Sequence, residues 1–184
     1  MLQYIAELDG RILLFIQEFL RLEWLDPLVL FLTSLGNAGA LWILLAGLLL
    51  IQKKYRKTGF AAAVSLLVGA FITNLLLKNW VCRPRPYDVI PELQALVTAR
   101  DWSFPSGHST SSIAAATVML CQLPKKAGVP AFVIAVLICL SRLYVGVHYP
   151  TDVLAGILIG VLSAVAAMKI TERVMKAGDN RLHD

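Results

Sequence analysis

Three short segments of this chain carry residue types suited to holding and splitting a phosphate ester. They are residues 78–86 (KNWVCRPRP), residues 105–108 (PSGH), and residues 141–152, which contain Ser141, Arg142, His148 and Asp152. Cationic side chains neutralise phosphate oxygens, and an imidazole can attack phosphorus or carry a proton. We therefore predict phosphoryl chemistry if the fold brings the three segments together.

The first segment offers three cations in or beside a stiff stretch of backbone. Lys78 ends a predicted membrane span, and each proline in Arg83-Pro84-Arg85-Pro86 pushes the residue before it toward an extended conformation. A guanidinium presents a planar fork of donors that matches two phosphate oxygens, whereas a lysine acts as a point charge. On the residues alone, either arginine could bind the phosphate.

The second segment is typical of a helix start. Ser103 is placed to cap the helix, and Pro105 is tolerated in its first turn. Free N–H groups at a helix N-terminus bind anions, and a glycine lets a ligand approach the backbone. We therefore expect the Ser106 hydroxyl and the Gly107 N–H to donate to phosphate, with His108 in the same turn.

The third segment combines a histidine–aspartate pair with an arginine inside apolar sequence. Asp152 follows His148 by one helical turn, so its carboxylate could accept a hydrogen bond from one imidazole nitrogen and leave the other as a nucleophile or base. Arg142 falls near the end of a predicted span. An arginine at the centre of a span costs about 2.5 to 3.5 kcal/mol on insertion scales, and less near an end, so Arg142 is a candidate site residue.

The elements that must position these residues are membrane helices. Hydrophobic residues make up 58% of the 184 and charged residues 16%, with a mean hydropathy of +0.70, which excludes an ordinary soluble domain. A span needs roughly 20 mostly apolar residues. The stretches that qualify are residues 25–51, 60–77, 106–123, 129–147 and 151–168. In the last, Gly156 and Gly160 form a small face that would let a neighbouring helix approach closely.

The N-terminal segment allows two interpretations. Leu8, Ile12 and Phe19 fall at helical spacing, while Glu7 and Arg11 line the other side. This pattern is typical of an interfacial helix or of a span that faces the bundle. In either case we predict that residues 1–184 form a single all-α, polytopic membrane bundle.

The net charge of +5 does not indicate nucleic-acid binding, because the basic residues lie next to span ends. The three groups are Lys53, Lys54, Arg56 and Lys57; Lys125 and Lys126; and Lys169, Arg173, Lys176 and Arg181. With one crossing per predicted span, all three lie on one side, which the positive-inside rule assigns to the cytoplasm. The site-bearing segments then face the extracytoplasmic side. The three cysteines show no metal-ligand spacing, so we expect no metal site.

The three segments together resemble the signature of the type-2 phosphatidic acid phosphatase family. That signature is a lysine, six residues and Arg-Pro; then Pro-Ser-Gly-His; then Ser-Arg, five residues, a histidine, three residues and an aspartate. This sequence matches it between residues 78 and 152 without departure. The resemblance implies a metal-independent phosphatase without a cofactor, on a cell-membrane bundle of about six transmembrane helices, which would make the N-terminal segment a true span.

The resemblance also implies a role for each matched residue. His148 would attack phosphorus and become a phosphohistidine, Asp152 would orient it, and His108 would protonate the leaving oxygen. The phosphate cradle would be Lys78, Arg85, Ser106, Gly107 and Arg142, which favours Arg85 over Arg83. Because these groups lie at span ends, we expect a lipid phosphate or diphosphate that enters from the membrane lipids. Candidates are undecaprenyl diphosphate, phosphatidylglycerol phosphate, phosphatidic acid and lipid A phosphates.

Two other functions could use the same residues. A lipid phosphotransferase would pass the phosphoryl group from the histidine to an alcohol on another lipid, so phosphate release without an added acceptor would argue against it. A non-catalytic lipid-binding or transport protein of the same fold would tolerate the loss of His148, His108 or Asp152.

Overall fold

The computed structural model describes residues 2–180 of the chain, with side chains for residues 4–176. Regular structure in this part is entirely helical, which confirms the all-α expectation. The helices are α1 (Leu2–Phe15), α2 (Asp26–Leu35), α3 (Ala40–Ile51), α4 (Arg56–Ala70), α5 (Lys78–Val81), α6 (Pro86–Val89), α7 (Gly107–Gln122), α8 (Lys125–Tyr144) and α9 (Pro150–Asn180). A π-helical turn, Ile16–Leu20, extends α1, and another, Phe71–Leu77, joins α4 to α5. Arg181 of the C-terminal basic group lies outside the described residues.

Helix α7 lies at the centre of the bundle, packed against α4, α8 and α9. Two glycines of α9 allow the closest approach. A Cβ on Gly156 would lie 2.7 Å from the backbone oxygen of Ser106, and one on Gly160 would lie 2.9 Å from that of Thr110. The small face predicted on this helix is therefore confirmed as a helix contact. It holds the start of α9, which carries Asp152, against the start of α7.

Within the described residues, three helical stretches are long and apolar enough to cross a membrane: Lys53–Val89, Lys125–Tyr144 and Pro150–Lys176. Large apolar side chains on α8 and α9, such as Leu140 and Leu158, are exposed on the outside of the bundle, where lipid would cover them. Helix α7 has 16 residues and is not among the candidates. The count of six spans is therefore not confirmed.

The span predicted at residues 25–51 is broken instead of continuous. Its two helical parts meet at 45°, and only as one bent span would they raise the number of candidates in the described chain to four. The break contains Ala38 with φ of 50° and Gly39 with φ of 69°, a left-handed conformation that glycine adopts without steric cost. Irregular backbone at membrane depth is tolerated where it lines a cavity, and this break lies beside one.

Helix α1 is not among the candidate spans of the described chain, and its polar contacts lie at one end of the bundle. Gln17 Nε2 donates to the backbone oxygen of Glu92 at 2.9 Å. Arg21 donates to the backbone oxygens of Gln94 at 2.6 Å and of Tyr144 at 2.8 Å. These contacts are made by the segment that follows α1, and they place that segment at the end of the bundle at which α8 finishes and α9 begins. Both interpretations of α1 itself stay predictions.

Candidate active site

A cavity of about 740 Å³ lies between α3, α4 and α7. Its polar end is lined by side chains from all three segments identified in the sequence, namely Lys78, Arg85, His108, Arg142 and His148. Its other end is lined by small and apolar residues, among them Ile43, Ala46, Leu66 and Leu67. The cavity therefore joins a cationic pocket to an apolar groove.

His148 lies in the turn between α8 and α9, which Gly146 makes possible with φ of +76°. Its Nδ1 is 3.6 Å from Oδ2 of Asp152, slightly beyond hydrogen-bond length, and its Nε2 is 3.0 Å from Nη1 of Arg85. The same Nη1 lies 3.4 Å from Nδ1. A guanidinium can only donate, so the shorter of the two contacts assigns Nε2 as the unprotonated nitrogen, and Nδ1 as the one that carries a proton toward Asp152. The structure thus brings His148 and Asp152 together as the sequence predicted.

Burial lowers the pKa of His148 to about 4. The positive charges of Arg85 and Arg142 act in the same direction, and the nearby carboxylate of Asp152 opposes them. At neutral pH the imidazole is therefore uncharged, which is the form that can attack an electrophile.

Asp152 is fully buried behind His148, and its two oxygens have different partners. Oδ2 accepts hydrogen bonds from Ser103 Oγ at 2.5 Å and from the backbone N–H of Tyr149 at 3.0 Å. Oδ1 accepts from Nη1 of Arg83 at 2.6 Å. Of the two arginines, Arg85 lines the cavity and Arg83 does not. Phosphate binding by Arg85 stays a prediction.

The cap predicted for α7 is corrected by the structure. The N-cap is Ser106, whose Oγ accepts from the backbone N–H of Ser109 at 3.4 Å and from its hydroxyl at 2.9 Å. Ser103 lies too early in the chain for this role and donates to Asp152 instead. Gly107 lines the cavity, whereas Ser106 is fully buried outside its lining, so donation from Ser106 to phosphate stays a prediction.

Arg85 and Lys78 share one carboxylate at the polar end of the cavity. Arg85 donates from Nη2 to Oδ1 of Asp101 at 2.5 Å and from Nε to the Asp101 backbone oxygen at 2.9 Å. Lys78 Nζ forms an ion pair with Oδ2 of the same side chain. Partial burial alone would raise the pKa of Asp101, but the two cations outweigh it and hold that pKa at about 2. Asp101, 55% exposed, therefore lies where an anionic substrate group could bind.

Arg142 reaches the cavity from α8 and is 5% exposed. Its Nη1 donates to Thr33 Oγ1 at 2.5 Å, and its Nε is buried without a hydrogen-bond partner among the described residues. A buried donor that lacks a partner costs free energy unless a water or a ligand accepts its proton. This guanidinium therefore has spare capacity to bind an anion.

His108 faces the break between α2 and α3. Its Nε2 lies 3.0 Å from Oδ1 of Asn37. A Cβ at Gly36 would lie 2.6 Å from Cδ2 of the imidazole, so a side chain at position 36 would displace His108. The break in the predicted span thus provides both space and a polar contact for this histidine.

Four residues that contact the site residues were not identified by the sequence analysis: Thr33, Asn37, Asp101, and Asp9, whose Oδ2 accepts a hydrogen bond from Nη2 of Arg83 at 2.8 Å. The sequence offered weak grounds for selecting Thr33 and Asn37, since they are polar residues within an apolar stretch. For Asp101 and Asp9 it offered none, because acidic residues in loops and near chain ends are common on any protein surface.

The arrangement can hold a tetrahedral oxyanion and cleave one of its bonds. Three cations surround the polar end, a neutral imidazole presents an unprotonated nitrogen there, and a second imidazole stands at the start of α7. Fixed positive groups of this kind stabilise the charge on the equatorial oxygens during phosphoryl transfer.

Comparison with known proteins gives a consistent result. A family model described as the PAP2 superfamily matches residues 58–176. The chain is 32% identical over 162 residues to the undecaprenyl-diphosphatase of Sulfolobus acidocaldarius, covering 83% of this chain and 78% of that protein. It is 33% identical over 168 residues to phosphatidylglycerophosphatase B of Bacillus subtilis, covering 85% and 80%.

Two solved structures resemble the whole bundle. One is the transmembrane PAP2-type phosphatidylglycerolphosphate phosphatase from Bacillus subtilis, with a TM-score of 0.76 and 29% identity, covering 93% of this chain and 88% of that one. The other is LpxE of Aquifex aeolicus, with a TM-score of 0.77 and 26% identity, covering 89% and 94%.

Proposed function

Because the chain belongs to the PAP2 superfamily, we propose that it is an integral membrane phosphatase that hydrolyses a lipid phosphate or diphosphate through a phosphohistidine, without a metal ion. The observation that supports this most directly is the cavity. All three signature segments contribute to its cationic end, and an apolar groove leads away from that end.

His148 is the proposed nucleophile. Its Nε2 would attack phosphorus, a P–N bond would form, and the P–O bond to the lipid would break. Asp152 would keep the proton on Nδ1 and stabilise the positive charge that develops on the ring. The contact of Arg85 with Nε2, at 3.0 Å, supports this orientation because it shows that Nε2 faces the cationic end.

His108 is the proposed proton donor to the leaving oxygen. It would take up that proton as the anionic phosphate group binds among the cations, because the negative charge of the substrate favours the protonated imidazole. It lines the cavity with His148, and it would then take a proton from the water that hydrolyses the phosphohistidine. Lys78, Arg85 and Arg142 would bind the phosphate oxygens. The unpartnered Nε of Arg142 supports this role, because a phosphate oxygen would accept its hydrogen bond.

A lipid substrate is supported by the apolar end of the cavity. Residues such as Ile43, Leu66 and Leu67 would contact an acyl or prenyl chain while the phosphate group lies among the cations. The relatives named above act on prenyl or glycerol lipids according to their names, so undecaprenyl diphosphate, phosphatidylglycerol phosphate and phosphatidic acid are the substrates to test first.

The test is phosphate release by the purified protein in EDTA, from a panel of lipid mono- and diphosphates, with no added acceptor. We expect release from at least one lipid. Gly47 lines the groove and has open space around the position of a Cβ, so Gly47→Phe should raise KM for a long-chain lipid more than for a short soluble phosphate ester. A requirement for an acceptor alcohol would instead indicate a phosphotransferase.

We propose that the active site faces the extracytoplasmic side. Cys82 and Cys121 are both exposed, the first beside the site and the second near the far end of α7. A membrane-impermeant maleimide applied to intact cells should label Cys82 in a Cys121→Ser background and should fail to label Cys121 in a Cys82→Ser background. The reverse pattern would place the site on the cytoplasmic side.

A further inference from the structure

Arg83 bridges two buried carboxylates and is not a residue of the family signature. Its Nη1 donates to Oδ1 of Asp152 at 2.6 Å, and its Nη2 donates to Oδ2 of Asp9 at 2.8 Å. The guanidinium carbon also lies 3.7 Å from the centre of the Tyr149 ring, a cation–π contact that favours this position of the guanidinium. Arg83 therefore holds Asp152 from the side opposite to His148.

Asp9 brings helix α1 into this arrangement. Its side chain is 3% exposed, and besides Arg83 it accepts hydrogen bonds from the backbone N–H of Thr151 at 3.1 Å and from the Thr151 hydroxyl at 2.5 Å. A carboxylate is rarely buried unless it is paired and hydrogen-bonded, and these contacts meet that requirement. Asp9 thus links α1 to Arg83 and to Thr151 in the first turn of α9.

The charges of this cluster do not cancel. One guanidinium faces two carboxylates, so Asp9, Arg83 and Asp152 together carry one net negative charge behind His148. If Arg83 paired with Asp152 alone, its charge would neutralise that carboxylate and weaken the attraction of Asp152 for the imidazole. Because Asp9 shares the guanidinium, Asp152 is held in place and still presents negative charge to Nδ1 of His148.

We propose that Asp9 and Arg83 are positioning residues that orient Asp152 and maintain its charge toward His148. This inference rests on the proposed function, since it assigns a purpose to the geometry behind the proposed nucleophile. Neither residue lines the cavity, so neither is proposed to touch the substrate.

The experiment compares Asp9→Asn and Arg83→Gln with wild type, in kinetics and in the titration of His148. The matched controls are Glu23→Gln and Arg11→Gln, which make the same charge changes at exposed positions of the N-terminal segment. We expect Asp9→Asn to lower kcat by about tenfold and to leave KM within about twofold, because a displaced orienting group affects chemistry more than binding. Arg83→Lys, which keeps the charge but loses the fork, should recover part of the activity lost in Arg83→Gln.

The titration is read from the imidazole 15N resonances, with His148 assigned by their loss in His148→Ala. The other charged or titratable groups near His148 are Asp152 from α9, Arg142 from α8, His108 from α7 and Arg85, and none of them is changed. Asp9→Asn removes a negative charge and should lower the pKa of His148. Arg83→Gln removes a positive charge and should raise it. A role in stability alone would not produce shifts of opposite sign.

Each result decides a separate question. Wild-type kcat in Asp9→Asn, or a His148 titration that moves no more than in the controls, would overturn the positioning role. Thermal unfolding in the same detergent identifies a variant that has simply lost its fold, and for Arg83 the lysine variant then supplies the comparison. If the wild type released phosphate from no lipid, the proposed function would fail, yet the titration would still show whether the pair acts on His148.

Discussion

Two arginines, separated by one proline, have partners of opposite kinds. Arg85 pairs at the cavity with Asp101, whose side chain is 55% exposed, whereas Arg83 pairs with Asp9 and Asp152, which are 3% and 0% exposed. A half-exposed carboxylate can leave for solvent at little cost, but a buried one cannot. Burial of the carboxylate therefore distinguishes the two arginines. Arg85 can exchange its exposed carboxylate for a phosphate, whereas Arg83 keeps its buried carboxylates in the folded protein.

His148 stands between these two regions, so its loss should have the largest effect. His148→Ala should reduce phosphate release by about a thousandfold or more, because it removes the imidazole proposed to form the covalent intermediate. The measurement is initial rate on the best lipid of the panel, with His183→Ala, which changes a histidine outside the signature, as the control. Substantial turnover by purified His148→Ala would rule out the phosphohistidine.

Substitution of Arg142 tests whether the cations at the cavity act on the phosphate group. Arg142→Ala should lower kcat/KM by about a hundredfold or more, since it removes a preorganised donor from the developing charge. Arg142→Lys should retain part of the activity, and Thr33→Val, which removes only the partner of Nη1, should cost much less. An Arg142→Ala variant that kept its kcat/KM would show that this guanidinium serves packing alone.

Acidification should act on His148 through its lowered pKa. The free protein must have a neutral imidazole to react, so kcat/KM should fall about tenfold for each unit of pH below about 4.

The stability of the protein should also decrease on acidification. The pKa of His148 lies below its ordinary value of 6.5, so the unfolded chain binds the proton first as the pH falls. The contribution of His148 to the free energy of unfolding is therefore complete above pH 6.5 and declines as the pH falls toward 4. Rates at constant ionic strength and thermal unfolding would measure both, and a flat profile between pH 6 and about 3 would contradict the assignment.

Substitution of Asp101 should have the smallest effect, and it should strengthen phosphate binding instead of weakening it. Asp101→Asn removes the carboxylate that occupies Lys78 and Arg85, so it should lower the inhibition constant of inorganic phosphate by about threefold, as expected for half-exposed ion pairs. Since the pKa of Asp101 is about 2, the competition persists over the whole assay range. Glu92→Gln, in the same loop, is the matched control. Weaker phosphate binding in Asp101→Asn would mean that Asp101 organises the cradle instead of competing for it.

Some features of the structure could be predicted from the sequence and others could not. Composition alone predicted a helical membrane bundle, and the spacing of Gly156 and Gly160 predicted the close contact of α9 that the structure shows. The break at residues 36–39 was not predicted, because residues 25–51 are mostly apolar. The break accommodates His108, which is close to it only in the folded structure. The position of helix α1 was ambiguous for a similar reason, since an amphipathic pattern does not specify which residues contact its polar face.

What the sequence by itself determined was the chemistry: the residue types, their order, and the one-turn spacing that brings His148 and Asp152 together within a single helix start. Local spacing is enough for that pair because only three residues separate them, across the short turn that leads into the first turn of α9. Only the tertiary structure decided the partners of the two arginines. Their carboxylates come from residues 9, 101 and 152, far apart in the chain, and which of these each guanidinium meets depends on how α1, α9 and the loop before α7 pack around residues 83–86.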